Sequence, residues 1–195
     1  FKQLFLDNDV IKLFKIFNSH SNDAELRFVG GCIRKLISDE KVEDIDLSTN
    51  LEPENVIEIL KKNKINFYDV GIDHGTITAI INKKSFEITT LRKDIKTDGR
   101  HAQVVYTNNW LEDASRRDFT VNSIYSDLDG NLFDPFNGRK DLKDGLIKFI
   151  GDPTIRIKED YLRILRYIRF FLGYSKNPHD RNIIKIIKQN LSGLK

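Results

Sequence analysis

The stretch ELRFVGGCIRKLISD, residues 25–39, ends a short β-type apolar run on two glycines and restarts at helical spacing. A strand stopped in this way constrains the chain strongly. Glycine, lacking Cβ, lets the backbone turn sharply, and a helix follows at once. The next segment, VEDIDLST (42–49), alternates as a strand does. Strand and helix thus succeed one another within a few residues, and the spacing predicts an α+β head.

The remaining elements extend this pattern. DVIKLFKIF (9–17) has the apolar spacing of an amphipathic helix. Pro53 suits the first turn of a helix running to about Lys62. TITAII (76–81) and FEITTL (86–91) read as a hairpin joined through NKKS. Residues 92–109, containing Asp98-Gly99-Arg100, read as a long polar loop, a type that is usually functional. WLEDASRRDFTVNSIYSD (110–127) reads as helical, LDGNLFD (128–134) as a turn between short strands, and 146–150 as a last β-like run. After GDPTIR, the spacing predicts one strong helix over 157–174 and a second over 180–191. The expected division is therefore 1–148, α+β, and 149–195, all helical, with a hinge at Gly151-Asp152-Pro153.

Composition narrows the class. Apolar residues make up 39% and charged residues 31%, enough for a globular core. No apolar stretch approaches the roughly 20 residues of a membrane span, and no signal peptide is seen. Cys32 is the single cysteine, and no Cys/His spacing suggests zinc, so a reducing, cytoplasmic setting is expected. The chain opens on Phe1 and has no Met, so it reads as a fragment. Residues 1–90 carry 12 basic and 15 acidic side chains and the rest carry 20 and 14, a split of −3 and +6. A basic second half fits a polyanionic partner.

Four motifs carry chemistry. Gly30 and Gly31 open a helix whose first N–H groups and dipole favour an anion such as phosphate, with Arg34 about one turn on; a tight turn with no ligand is the plainer reading. Asp44 and Asp46 flank Ile45, so on a strand both carboxylates share one face while Ile45 enters the core. Two hard oxygen ligands suit Mg²⁺, which keeps positions for water and substrate phosphates. RRDFTVNSI (116–124) groups Arg116, Arg117, Asp118 and Asn122, which suits phosphate and ribose contacts as well as a salt-bridge cluster. In EDYLRILRYIRF (159–170), Arg163, Arg166 and Arg169 share one helix face, and Leu162, Leu165 and Ile168 another. Asp160, three residues before Arg163, adds acceptors to the arginine's donors. Cytosine and adenine offer an amino donor beside a ring acceptor and would satisfy both. Uracil and guanine would set a carbonyl against the carboxylate.

In this order the motifs FVGGCIRK…DIDL, HGTITAII…FEITTLRKD…DGRH, RRDFTVNSI, FDPFNG and GDPTIRIKEDYLRILRYIRF resemble the class II tRNA nucleotidyltransferases, the CCA-adding enzymes and their poly(A) polymerase relatives. The resemblance covers about 26–171. It implies a polymerase β-type nucleotidyltransferase head and a helical neck, with the body and tail that hold tRNA not represented in 1–195. By resemblance, Asp44 and Asp46 are the metal-binding catalytic carboxylates of a two-metal mechanism. Gly30, Gly31 and Arg34 look like triphosphate contacts, and Arg117 and Asp118 like phosphate and ribose contacts. Asp160 and Arg163 look like the base-reading template, and Arg166 and Arg169 like further nucleotide contacts. Residues 151–156 resemble a hinge and 92–109 the loop needed to add the final A. Glu87 reads equally as a third carboxylate and as strand packing.

The resemblance therefore implies an Mg²⁺-dependent enzyme that adds nucleotides from CTP and ATP to the tRNA 3′ end. A relative of narrower specificity (CC-adding, A-adding or poly(A)-forming) and a non-catalytic RNA-binding module on the same scaffold are the alternatives.

Overall fold

The computed structural model describes residues 2–98 and 101–194. A single helical turn, α1 (Lys2–Phe5), precedes α2 (Asn8–Asn18), whose first turn is capped by Asp7 accepting from the Asp9 and Val10 amides. Then come β1 (Leu26–Val29), α3 (Gly31–Ile37), β2 (Ile45–Thr49), α4 (Pro53–Lys62) and the short β3 (Asn66–Tyr68). The expected hairpin is β4 (Thr76–Ile81) with β5 (Lys84–Thr90). It closes through Asn82-Lys83, both at positive φ, a two-residue turn tighter than the NKKS connection expected.

The strands form a seven-stranded sheet in the order β3-β4-β5-β2-β1-β8-β9, where β8 is Tyr125–Ser126 and β9 is Leu132–Phe133. The β2–β5 pair is parallel, and its other neighbours are antiparallel. Alternation sends Phe28, Leu47, Ile88 and Ile77 to one face, where α2, α3 and α4 bury them. On the other face, α5 (Trp110–Arg116) covers Val29 and Tyr125 at the β1/β8 end. That face stays open over β2, β5 and β4, and the opening is where the site lies.

Four expectations are corrected. Residues 92–109 contain an antiparallel ribbon, β6 (Arg92–Asp98) with β7 (His101–Tyr106), separate from the main sheet; Gly99 and Arg100 lie outside the described residues. The helix expected over 110–127 stops at Arg116, and a 3-10 turn, Thr120–Asn122, leads into β8. Residues 146–150 contribute one isolated bridge, Phe119 with Phe149, because Phe149 turns into an aromatic cluster rather than a strand. The helix expected over 157–174 is broken: α7 (Pro153–Glu159) ends at Asp160, which is extended at φ −154°, and α8 (Leu162–Tyr174) begins after it. The break places the Asp160 carboxylate on the Leu162 amide, 3.0 Å away, as a cap for the new helix. The short α6 (Gly138–Asp144) was not expected, while α9 (Arg181–Asn190) was.

A second apolar cluster joins α7, α8 and α9 to the sheet-bearing part. Phe119, Val121, Leu142 and Phe149 pack there with Ile157, Ile164, Tyr167, Phe170 and Ile187. Leu162, Leu165 and Ile168 form the opposite stripe of α8 and are 38%, 52% and 40% exposed.

Candidate active site

The open sheet face, the glycine turn and α8 enclose a cleft of about 740 Å³. Gly30 stands at φ +64°, ψ −120°, a conformation that a side chain would strain, and α3 starts at the next residue. The first N–H groups of α3 have no helical acceptor. A Cβ on Gly31 would lie 3.4 Å from Asp46 Oδ2, so the carboxylate points at the glycine bend. A Cβ on Gly30 would lie 3.6 Å from Arg117 Nη1. The turn, the carboxylate and the guanidinium therefore share one corner.

Asp46 lies on β2 and lines the cleft. Asp44 does not share the strand: β2 begins at Ile45, and Asp44 is an exposed residue just ahead of it, outside the cleft lining. Ile45 packs against the core as expected. Burial raises the pKa of Asp46, and Glu87 and Asp44 raise it further against the pull of Arg117 and Arg34. Glu87 is the register partner of Asp46 across the parallel β2–β5 pair, so the two carboxylates stand side by side. A half-buried carboxylate crowded by two others is a site that a cation would relieve. Among the described residues, no group of three or more His, Cys, Asp or Glu side chains has the geometry of a metal cage. A carboxylate or two beside phosphate-binding groups is nevertheless the donor set that suits Mg²⁺, which retains water and substrate ligands. Cys32, one residue into the helix, gives its thiol to the Val29 and Asp46 carbonyls, and burial pushes its pKa up to about 12. It is packing, not a nucleophile.

Arg117 is fixed from behind. Its guanidinium donates to Asp113 at 3.0 and 3.2 Å and to the Tyr125 hydroxyl at 2.9 Å, while that hydroxyl donates to Asp113 at 2.6 Å. Burial would raise the Asp113 pKa, but Arg117 and Arg116 with the Tyr125 hydroxyl bring it down to about 2. Asp118 is also engaged: it accepts from Asn122 at 2.9 Å and from Arg166 Nε at 2.6 Å. Arg34 is buried, with Asn122 Oδ1 as its acceptor and the ring of Phe170 4.6 Å from its guanidinium carbon. Its Nε is a buried donor without an acceptor among the described residues.

The neck side completes the cleft. Asp160, Arg163, Arg166 and Arg169 all line it. Because of the helix break, Arg163 does not stack on one helix face with Asp160. Its Nη1 instead donates to Glu159 and to the Arg156 carbonyl, at 2.7 and 2.8 Å. Glu159 also holds Arg156 at 2.7 Å, and Arg156 reaches the carbonyls of Arg116 and Arg117 at the end of α5. Glu159, Asp113 and Tyr125 escaped the sequence reading, and Arg156 entered it only as the end of the hinge at 151–156, since nothing in their spacing says what they meet. Of the expected residues, all but Asp44 line this one cleft.

A mixed sheet with a glycine-turn helix, a carboxylate beside it and a facing bank of arginines defines a nucleotidyl-transfer type of head. The sequence profile described as "Poly A polymerase head domain" matches residues 26–148, and the chain belongs to that family. The mitochondrial CCA tRNA nucleotidyltransferase 1 of Danio rerio is 43% identical over 197 residues, which cover 100% of this chain and 45% of that protein. The CCA-adding enzyme of Bacillus stearothermophilus, solved in complex with CTP, is 31% identical with a TM-score of 0.82, over 94% of this chain and 43% of that one. A tRNA nucleotidyltransferase solved with a primer tRNA and an incoming ATP analog is 29% identical, with a TM-score of 0.69, over 88% and 48%. The chain thus spans about half the length of the relatives it matches. Among the described residues, no helix is long and apolar enough to cross a membrane.

Proposed function

We propose that residues 1–148 form the nucleotidyl-transfer head, and residues 149–195 the start of the base-reading neck, of a template-independent RNA nucleotidyltransferase. Its substrates are CTP, ATP and the tRNA 3′ end, and its product is the CCA terminus. The observation that carries this reading is the convergence of Gly30-Gly31, Asp46, Arg117-Asp118 and Asp160/Arg163 on one cleft. Relatives whose names carry CCA addition, CTP and primer tRNA support it. The single Cys32 fits a reducing compartment such as the cytoplasm, although the Danio rerio relative is named mitochondrial.

In the reaction, the acceptor's 3′-oxygen attacks the α-phosphorus. A P–O3′ bond forms, the α–β anhydride bond breaks, the hydroxyl proton leaves to water and pyrophosphate departs. Asp46, with Asp44 ahead of the strand, would hold Mg²⁺, which when bound lowers the pKa of the attacking hydroxyl and neutralises developing charge. Arg117, locked by Asp113 and Tyr125, offers a pre-oriented cation for the triphosphate at the glycine turn. Arg166 is held toward the cleft by Asp118. Asp160 has one oxygen on the Leu162 amide, so its other oxygen can accept an amino group of cytosine or adenine. Arg163 keeps Nη2 for the neighbouring ring acceptor, its Nη1 being taken.

The test uses the full-length protein with tRNAs ending before the first C, the second C and the final A. Extension of all three is expected. Extension of the first two only, of the third only, or an A tract would reassign it to CC-adding, A-adding or poly(A)-forming activity. RNA binding with no extension of any would make it a binding module.

A further inference from the structure

Asn122 ends the 3-10 turn Thr120–Asn122, is 6% exposed, and touches three of the residues given to the nucleotide. Its Oδ1 accepts from Arg34 Nη1, its Nδ2 donates to Asp118 Oδ1 at 2.9 Å, and its backbone carbonyl accepts from Arg117 Nη1 at 3.5 Å. A carboxamide suits this place. Arg34 has only donors and the Asp118 carboxylate only acceptors, so the group between them must accept on one side and donate on the other. One orientation of the amide meets both needs.

The contacts reach the neck twice. Asp118 Oδ2 takes Arg166 Nε at 2.6 Å, and the rings of Phe170 and Tyr174 lie 4.6 and 5.0 Å from the Arg34 guanidinium carbon. Arg166, Phe170 and Tyr174 all belong to α8. A closed circuit therefore runs from α8 through Asp118, Asn122 and Arg34 and back to α8. At its free end, Arg34 Nη2 would lie 3.9 Å from a Cβ on Gly31, so the guanidinium stands at the glycine turn. Arg34 and Asp118 are both buried, and opposite charges one small group apart attract strongly where water is scarce. Without the amide they would pair directly, which would neutralise Arg34 and draw it off the turn.

We propose that Asn122 is a positioning residue whose amide keeps Arg34 and Asp118 apart, so that Arg34 stays aimed at the triphosphate while Asp118 holds Arg166. The inference rests on the transfer reading for the identity of the ligand. It goes beyond that reading in giving part of the grip on the triphosphate to a residue that acts through its neighbours.

The test is the Kd of the full-length protein for CTP with Mg²⁺, read by titration calorimetry at pH 6 and pH 8 beside extension of a tRNA ending before the first C. Asn122→Ala is expected to raise the Kd about tenfold at both pH values, from the loss of a hydrogen bond to a charged group. Asn122→Asp is the sharper probe. The introduced carboxyl meets Arg117 and Asp118 of its own segment and Arg34 of α3, with Arg166 of α8 beyond Asp118 and Asp46 of β2 beyond the two other arginines. Asp141 of α6 is turned to Thr120 and Lys148. Protonated, the new group accepts and donates as the amide does; ionised, it repels Asp118 and pairs with Arg34. Asn122→Asp should therefore bind CTP about a hundredfold more weakly than the wild type at pH 8, and recover about fivefold or more of that loss at pH 6. Should this variant not fold, Asn122→Ser, whose shorter hydroxyl cannot reach both neighbours, should show the same rise of about tenfold as Asn122→Ala. An unchanged Kd in the Ala and Ser variants, or a folded Asp variant whose ratio to the wild type is equal at both pH values, overturns the positioning role while leaving transfer intact. Wild-type protein that binds CTP without extending the tRNA overturns the transfer reading and leaves Asn122's role standing on the Kd ratios; wild-type protein that binds no CTP overturns both.

Discussion

Asp46 is held where an ionised carboxylate is costly. Burial and the adjacent Glu87 and Asp44 raise its pKa, so the folded state binds its proton more tightly than the unfolded chain does. That linkage favours folding below the ordinary value of 3.8, and the advantage is lost as pH rises through the higher folded-state value. At neutral pH the charge therefore opposes folding. Asp46→Asn removes the cost, and its melting temperature should match or exceed the wild type's, with a difference that grows from pH 3.5 to 7. Incorporation should fall at least a hundredfold, and millimolar Mg²⁺ should raise the wild-type midpoint but not the variant's. A lower midpoint for Asn, or an equal Mg²⁺ shift in both, would remove Asp46 from the cation site. The DID pattern made Asp46 legible, because period two fixes its face once a strand is granted. It could not show that β2 starts one residue after Asp44. Nor could it choose between the two readings of Glu87, since the register with β5 is a long-range pairing.

Elements were legible where they bury an apolar face and obscure where they do not. The helices α2, α4 and α9 and the β4–β5 hairpin announce themselves by period, because each packs one side on a core. Among the described residues the β6–β7 ribbon forms a two-stranded sheet apart from the main one, and its sequence lacks the apolar alternation of β4 and β5, so it reads as a loop. The break at Asp160 was hidden for the opposite reason: helical periodicity runs through it on both sides. The clue was the Asp itself, a favoured cap ahead of the apolar run LRILRYI. On the proposed reading its consequence is functional, since the capping oxygen is fixed on the Leu162 amide and the other is the one offered to a base. Asp160→Asn places an amide there that can also donate. UTP should then be used, with the preference for CTP falling at least tenfold and the triphosphate's own affinity within about threefold. Equal losses for all four nucleotides, measured as kcat/KM, would deny Asp160 a part in reading the base.

At the scale of the whole molecule, the cleft is a joint product of two parts with unequal claims to independence. The sheet and α2–α4 own a complete core. The helices after residue 148 do not, because Phe119, Val121 and Leu142 from the preceding part fill the space among Ile157, Ile164, Tyr167 and Phe170. At 47 residues (195 − 148), the helical segment is also below the size at which an isolated core is usually sufficient. The charge split seen along the sequence has the same origin. The basic half supplies Arg116, Arg117, Arg163, Arg166 and Arg169 to the cleft, and the acidic half supplies Asp46, with Glu87 as its cross-strand neighbour. Cutting the chain after residue 148 should therefore have asymmetric results. Residues 149–195 alone should give the circular dichroism of a largely unfolded peptide. Residues 1–148 should keep a cooperative melt at a lower midpoint and bind a hydrophobic dye at the uncovered Phe119 surface. CTP affinity should fall at least tenfold, with three of the arginines gone. Mixing the two pieces should recover part of the helical signal, because the cluster they share forms only when both are present. A helical segment that folds alone would mean that its core does not depend on Phe119, Val121 and Leu142.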